Sequence, residues 1–184
     1  GSPPHIESHR FATHQRYELI PYYYSLAQMA YNMGSPVVAP PVMYFPEDIQ
    51  TRQMGHQKMI GPHIMVALVG KHGQYLRSVY LPQGTWINYH THEWIESKGE
   101  WTPQYNLWST GKFMLPVFVK SGAILPLMYV DNLTKDAFGH RIDHSVREDL
   151  ILKIYVDPIK SEFTLWEDDG STVFKYDPTT HAPQ

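Results

Sequence analysis

The chain has 184 residues, 42% of them hydrophobic and 14% aromatic, and a net charge of −3. That suits one medium domain, or one small domain with pieces of its neighbours. Charged residues make up only 18% with no run of like charge, which argues against nucleic acid as a partner; there is no apolar run of about 18 residues to span a membrane, and no cysteine for disulfides or thiolate chemistry.

Gly1-Ser2 reads as a tag remnant and not a natural start, and the composition leaves the cellular location open. Residues 1–13 are polar, contain Pro3-Pro4 and are expected to be loop. From His14 to Met33 the pattern turns helical. Leu19, Tyr23, Leu26, Ala30 and Met33 recur at three- and four-residue spacing and form one apolar face. Pro21 sits early enough in this run to be tolerated or to kink it, and Gly34-Ser35-Pro36 ends it.

The remainder reads as β. Val37–Phe45 is an edge or bent strand because Pro40-Pro41 interrupts it. Residues 48–58 are expected to be loop with a helical turn. Ile64–Val69 is a continuous apolar run, a strand buried on both faces, and Arg77–Leu81 alternates. Thr85–His90 and Glu93–Glu96 flank Thr91-His92 as a tight hairpin. Phe113–Lys120 and Ala123–Tyr129 flank Ser121-Gly122, a stronger hairpin signal. Residues 131–147 are polar and read as a long loop or linker. Residues 150–156 alternate as a strand, and Phe163–Trp166 with Thr172–Tyr176 predict a last hairpin around residues 167–171. The expected fold is mainly β, an antiparallel β-sandwich with one N-terminal α-helix.

Candidate sites are few. His90 and His92 would lie on one face of a strand and, with Glu93, offer three zinc ligands; the plainer reading is an exposed hairpin. His140 and His144 sit at helical spacing in a polar loop. Glu167-Asp168-Asp169-Gly170 resembles part of a calcium loop but lacks the remaining ligands, so a turn is the better reading. Glycoside hydrolysis needs two carboxyl groups about 5–10 Å apart, one of them with a raised pKa. Glu47/Asp48, Glu93/Glu96 and Asp168/Asp169 are the available pairs, and nothing around them predicts burial. Trp86, Trp94, Trp101 and Trp108 permit a sugar-stacking reading, against the alternative that they fill a core. From the residues alone, no catalytic residue and no metal or cofactor site is assigned, and substrate-binding residues stay unassigned.

Six segments in order carry a resemblance: residues 16–26 (RYELIPYYYSL), Gly34–Val37 followed by Phe45–Asp48, 61–69 (GPHIMVALV), 79–89 (VYLPQGTWINY), 115–127 (LPVFVKSGAILPL) and 163–170 (FTLWEDDG). Together they resemble the C-terminal part of family 31 glycoside hydrolases, the α-glucosidase-like enzymes. Leu68 stands where that family usually has proline, and Thr91-His92 where W-T-G is common. The resemblance implies three segments: 1–34 as the loop and last helix of a catalytic (β/α)8 barrel, 35–130 as a proximal β-sandwich, and 131–184 as a linker and the first strands of a distal β-domain. It also implies that the two catalytic aspartates of a retaining mechanism lie upstream, since no WxDMNE-like segment occurs here.

The function expected is a non-catalytic C-terminal region supporting the barrel of a retaining α-glycoside hydrolase, with that barrel and an oligo- or polysaccharide as partners. An independent carbohydrate-binding module and a cupin-like metal enzyme are the competing classes. If the barrel is missing, the apolar helix face needs another cover, either the sandwich itself or a second copy of the chain.

Overall fold

The computed structural model describes residues 3–108, 111–169, 176–177 and 182–183. It opens with two helices, α1 (Pro3–Glu18) and α2 (Ile20–Met33). Residues 3–13, expected as loop, are therefore helical, and the single expected helix is a broken pair. Leu19 leaves helical geometry between them, with Pro21 in the first turn of α2. A proline ring there has no N–H to offer and would strike the carbonyl four residues back, so the helix restarts instead of continuing. Gly34 then ends α2 in the left-handed conformation (φ 71°), its N–H donating to Ala30 O.

The strands that follow are β1 (Val38–Ala39), β2 (Gln57–Ile60), β3 (Ile64–Ala67), β4 (Leu76–Arg77), β5 (Tyr80–Leu81), β6 (Gly84–Asn88), β7 (Trp94–Ser97), β8 (Glu100–Trp101), β9 (Tyr105–Asn106), β10 (Val117–Lys120), β11 (Ile124–Met128) and β12 (Leu150–Ile154). β13 (Tyr176–Asp177) and β14 (Ala182–Pro183) pair with each other. A central antiparallel sheet runs β1-β2-β3-β10-β6-β7, while β4–β9, β5–β8 and β11–β12 form two-stranded ladders. The architecture is mainly β, an antiparallel sandwich preceded by a helical segment.

The central sheet is buried on both faces, as the unbroken apolar run at 64–69 requires. Strand alternation sends Ile64, Ile87 and Val119 to one face and Met65, Trp86 and Phe118 to the other. The first set packs beneath α2 and β11 with Leu19, Tyr22, Leu26 and Leu125. The second packs against the β5 region with Val79 and Leu81. Burying a side chain such as Ile87 or Phe118 contributes roughly 1.5–3 kcal/mol before the entropy of ordering it is subtracted. Of the expected face, Leu19 and Leu26 are buried, Tyr23 and Ala30 are half-buried and Met33 is exposed, while Tyr22 and Ser25 join the buried stripe of α2. The apolar face thus finds its cover within the chain, on the sandwich.

Several of the expected strands and hairpins differ. Val37–Phe45 holds only the short β1 before a 3-10 turn at Pro41–Met43. The 113–129 region is not a hairpin. β10 pairs with β3 and β6, whereas β11 pairs with β12. Ser121-Gly122 is a crossover, its two N–H groups donating to Thr85 O in the central sheet and to Tyr155 O beyond β12. Pro126 is accommodated inside β11 because that strand has a partner on one side only. The β6–β7 hairpin does form, with Ile87 facing Trp94 and His92 at positive φ (62°) in its loop. Residues 131–147 are a tied excursion. Arg141 forks onto Asp131 with two bonds of 2.9 and 2.8 Å, and bridges join Thr134 to Arg141 and His140 to Val146. Phe163–Trp166 has no strand assignment, and the second half of that expected hairpin falls largely outside the described residues. Among the described residues no helix is long and apolar enough to cross a membrane.

Candidate functional site

Two concavities lie on opposite faces of the central sheet. The first, a cleft of about 440 Å³, opens between α1 and the sheet. Its walls come from Phe11 and Arg16 of α1, Tyr23 of α2, Tyr89 after β6, and Trp108 and Phe113 before β10. α1 is held over it largely by polar contacts. Ser8 Oγ accepts from Phe113 N–H (2.8 Å), and the His14 ring donates from Nε2 to Val130 O (3.1 Å). The aromatic walls brace one another: Trp108 lies 5.5 Å from Phe113 and 6.2 Å from His5, centroid to centroid. Burial pushes the Tyr89 hydroxyl up to about 12, with the Glu18 carboxylate and Tyr23 adding to the shift. No Asp or Glu lines this cleft, so it cannot supply the paired carboxyl groups that glycoside hydrolysis needs.

The second concavity, about 530 Å³, lies between the edge strand β7 and the β5–β8 ladder. Glu93, Ile95 and Ser97 reach it from alternate positions on and beside β7; Glu100, Trp101 and Tyr105 close the other side. Both glutamates are exposed. General acid catalysis by a carboxyl group calls for burial that raises its pKa, and these two lack that burial.

The structure separates the residues singled out by sequence. His90 is not a free ligand. Its Nε2 donates to Leu115 O (3.0 Å), leaving Nδ1 to accept from Gln15 Nε2 (3.5 Å). Burial holds its pKa below the usual histidine value. His92 turns out to solvent in the hairpin loop, so the two imidazoles share no site. His140 Nδ1 pairs with Asp136 (2.8 Å), while His144 sits at positive φ in a turn. Among the described residues no group of three or more His, Cys, Asp or Glu is placed to hold a metal ion.

The carboxylate pairs are also divided. Glu96 lies on the face of β7 opposite Glu93 and accepts from Thr85 Oγ1 (2.8 Å). Asp48 caps the 3-10 turn Ile49–Gln53 through Gln50 N–H and accepts from Tyr80 Oη (2.9 Å), and Glu47 points to solvent. Asp168 accepts from Tyr24 Oη (3.1 Å) at the surface. The segment 167–169 is exposed, and Gly170 falls outside the described residues. The tryptophans sort into three roles. Trp86 is fully buried and donates from its ring N–H to Pro82 O (2.8 Å). Trp108 walls the cleft. Trp94 and Trp101 are exposed, at 56% and 49%; of these two, Trp101 is among the residues around the second concavity. Sequence reasoning did not single out Glu100 or Tyr105, because each sits on a two-residue strand with no periodic signal. Nor did it single out Phe11, on a helix whose apolar residues form no stripe.

Known proteins bear on these observations directly. The glycosyl hydrolase family 31 C-terminal domain matches residues 34–125. A 1,6-alpha-glucosyltransferase of Sporosarcina globispora is 29% identical over 97% of this chain, which spans 13% of that protein. Alpha-glucosidase 2 of Bacillus thermoamyloliquefaciens is 29% identical over 88% of the chain and 19% of its own length. In three dimensions the chain resembles a family 31 dextranase of Flavobacterium johnsoniae complexed with glucose, with a TM-score of 0.73 and 28% identity over 88% of this chain and 19% of that one. The chain thus spans less than a quarter of the length of these relatives. With half of its residues matching the family's C-terminal domain, and with the sandwich that those residues build, the chain belongs to glycosyl hydrolase family 31.

Proposed function

We propose that the chain is the non-catalytic C-terminal region of a retaining α-glycoside hydrolase and supports that enzyme's catalytic barrel. In this reading residues 1–34 close the barrel, 35–130 are the proximal sandwich, and 131–184 lead into a distal β-domain. The observation that carries it is the cleft beneath α1, wide, aromatic and free of carboxylates. Such a surface suits burial against another protein layer and is unsuited to the two-carboxylate chemistry of the family. The glycoside substrate is then bound and cleaved by the barrel, and the C-terminal region acts through the barrel's stability. The exposed apolar residues of the helical segment left for self-association are Ile6, Tyr31 and Met33.

The test compares the parent enzyme's barrel region with and without these residues. The chain alone is expected to leave an aryl α-glucoside intact, and removing it is expected to lower the barrel's melting temperature or solubility. Hydrolysis by the isolated chain, or a barrel of unchanged stability without it, overturns the reading.

A further inference from the structure

We infer that the cleft beneath α1 seats a segment of the parent enzyme's barrel that brings apolar side chains and a carboxylate, the carboxylate closing on Arg16. This rests on the barrel-support reading above and names what the barrel must bring to the contact. The floor of the cleft is one face of three neighbouring strands. Ile60 of β2 stands opposite Ile64 of β3, and Val66 of β3 stands opposite Val117 of β10. Paired residues and residues two apart share a face, so all four side chains lie on the side where Leu19 and Leu125 pack. Ile64 is buried there, but Ile60, Val66 and Val117 are only half-buried, as is Tyr23 of α2 beside them. An apolar floor still partly open to water gains stability when another layer covers it.

α1 forms one lip of the cleft. His5, His9, Ala12 and Arg16 follow one another at four-, three- and four-residue spacing, so they lie on one side of the helix, and all four are exposed. Arg16 makes no ion pair or hydrogen bond with another described residue. The two carboxylates of α1 are engaged elsewhere, Glu7 with Arg10 at 3.2 Å and Glu18 with His14 at 3.5 Å. Lys112, 5.8 Å from the centre of the Phe11 ring, sets a second positive charge beside the cleft, and no Asp or Glu lines it. A layer docking here takes the Arg16 guanidinium out of water, and a buried charge left unpaired is costly. A carboxylate answers that cost best, because its two oxygens match the planar fork of arginine. A wholly apolar partner would strand the charge, and a basic one would be repelled. Two copies of this chain meeting through the cleft would set like-charged lips against each other.

The experiment compares the parent enzyme with the 184-residue chain. Arg16→Glu is expected to lower the parent's melting temperature by about 3 °C or more. It is expected to leave the melting of the chain alone unchanged, since Arg16 is exposed there without a bonded partner among the described residues. In the parent carrying Arg16→Lys, a carbodiimide is expected to join the introduced amine to an Asp or Glu upstream of residue 1, identified by mass spectrometry of the linked peptides. Equal melting shifts in parent and chain, no such link, a link only to carboxylates within residues 1–184, or Arg16-dependent dimerisation of the chain overturns the inference. Barrel support fails separately. It falls if the barrel melts unchanged without this region, whereas a barrel destabilised by that loss yet indifferent to Arg16→Glu overturns this inference alone.

Discussion

Gln57 is polar and fully buried, and its position explains why it belongs in a core strand. Its Nε2 donates to Tyr80 O and its Oε1 accepts from Tyr80 N–H, both at 2.8 Å. The side chain thus imitates a neighbouring strand and satisfies both backbone groups of Tyr80 in β5. Gln57→Leu keeps the volume but strands a buried N–H and a buried carbonyl, at about 1–3 kcal/mol for each. A loss of roughly 2 kcal/mol or more in urea unfolding is expected; an unchanged midpoint would show that water replaces the amide. Gly61 is constrained by a close approach. A Cβ there would meet Leu26 Cδ2 at 2.6 Å and Tyr22 Oη at 2.7 Å, with φ at +59°. Gly61→Ala is expected to force α2 away from the sheet and cost about 1–3 kcal/mol by chemical denaturation, and a neutral result would mean α2 shifts freely. His90 teaches the opposite lesson to Gln57: its spacing to His92 suggested a ligand, but its two ring nitrogens are spent on the fold.

At the scale of elements, α2 and its Gly34 stop were legible because apolar period and terminators agreed. α1 was not, since it is fastened by Ser8, His14 and Gln15, residues whose partners lie far away in sequence. The Ser121-Gly122 turn was legible as a turn but not as a crossover. Turn chemistry is local, whereas the choice of partner strand depends on which sheet buries more apolar surface. The excursion at 131–147 is likewise a polar run by composition, ordered by the Asp131–Arg141 fork. That guanidinium holds the Asp131 carboxyl below its usual 3.8. Because the folded value is depressed, the tie is at full strength above 3.8 and is lost as pH falls through the lowered value. Asp131→Asn is expected to admit protease cleavage within 131–147 at neutral pH, where the parent resists. Equal digestion rates would show that the bridges Thr134–Arg141 and His140–Val146 suffice.

For the whole molecule, the central sheet with two covered faces sets a pH window of stability. On the acid side, burial holds His63 and His90 below 6.5, with the Lys120 charge adding to the shift at His63. A depressed folded value means their contribution is complete above 6.5 and declines as pH falls below it. On the alkaline side, burial is the main cause raising Tyr80 and Tyr89 from 10.0 to about 12, and Asp48 adds to it at Tyr80. A raised folded value means their contribution is complete below 10.0 and is lost toward 12. Melting temperature is therefore expected to plateau between about pH 7 and 10 and to fall on both sides. A plateau extending unchanged to pH 5 would assign the histidines no share.

Sequence alone determined the family, the β character and the location of most strands, because period-two burial and turn residues act over a few neighbours. The same local reach identified Trp101 as a stacking candidate without separating it from Trp86. Tertiary structure decided which indole is core and which is exposed, which glutamates line one concavity, and which sheet each strand joins. Those outcomes depend on pairing between residues distant in the chain, and the net burial that selects a pairing exists only once the sheets have closed on each other.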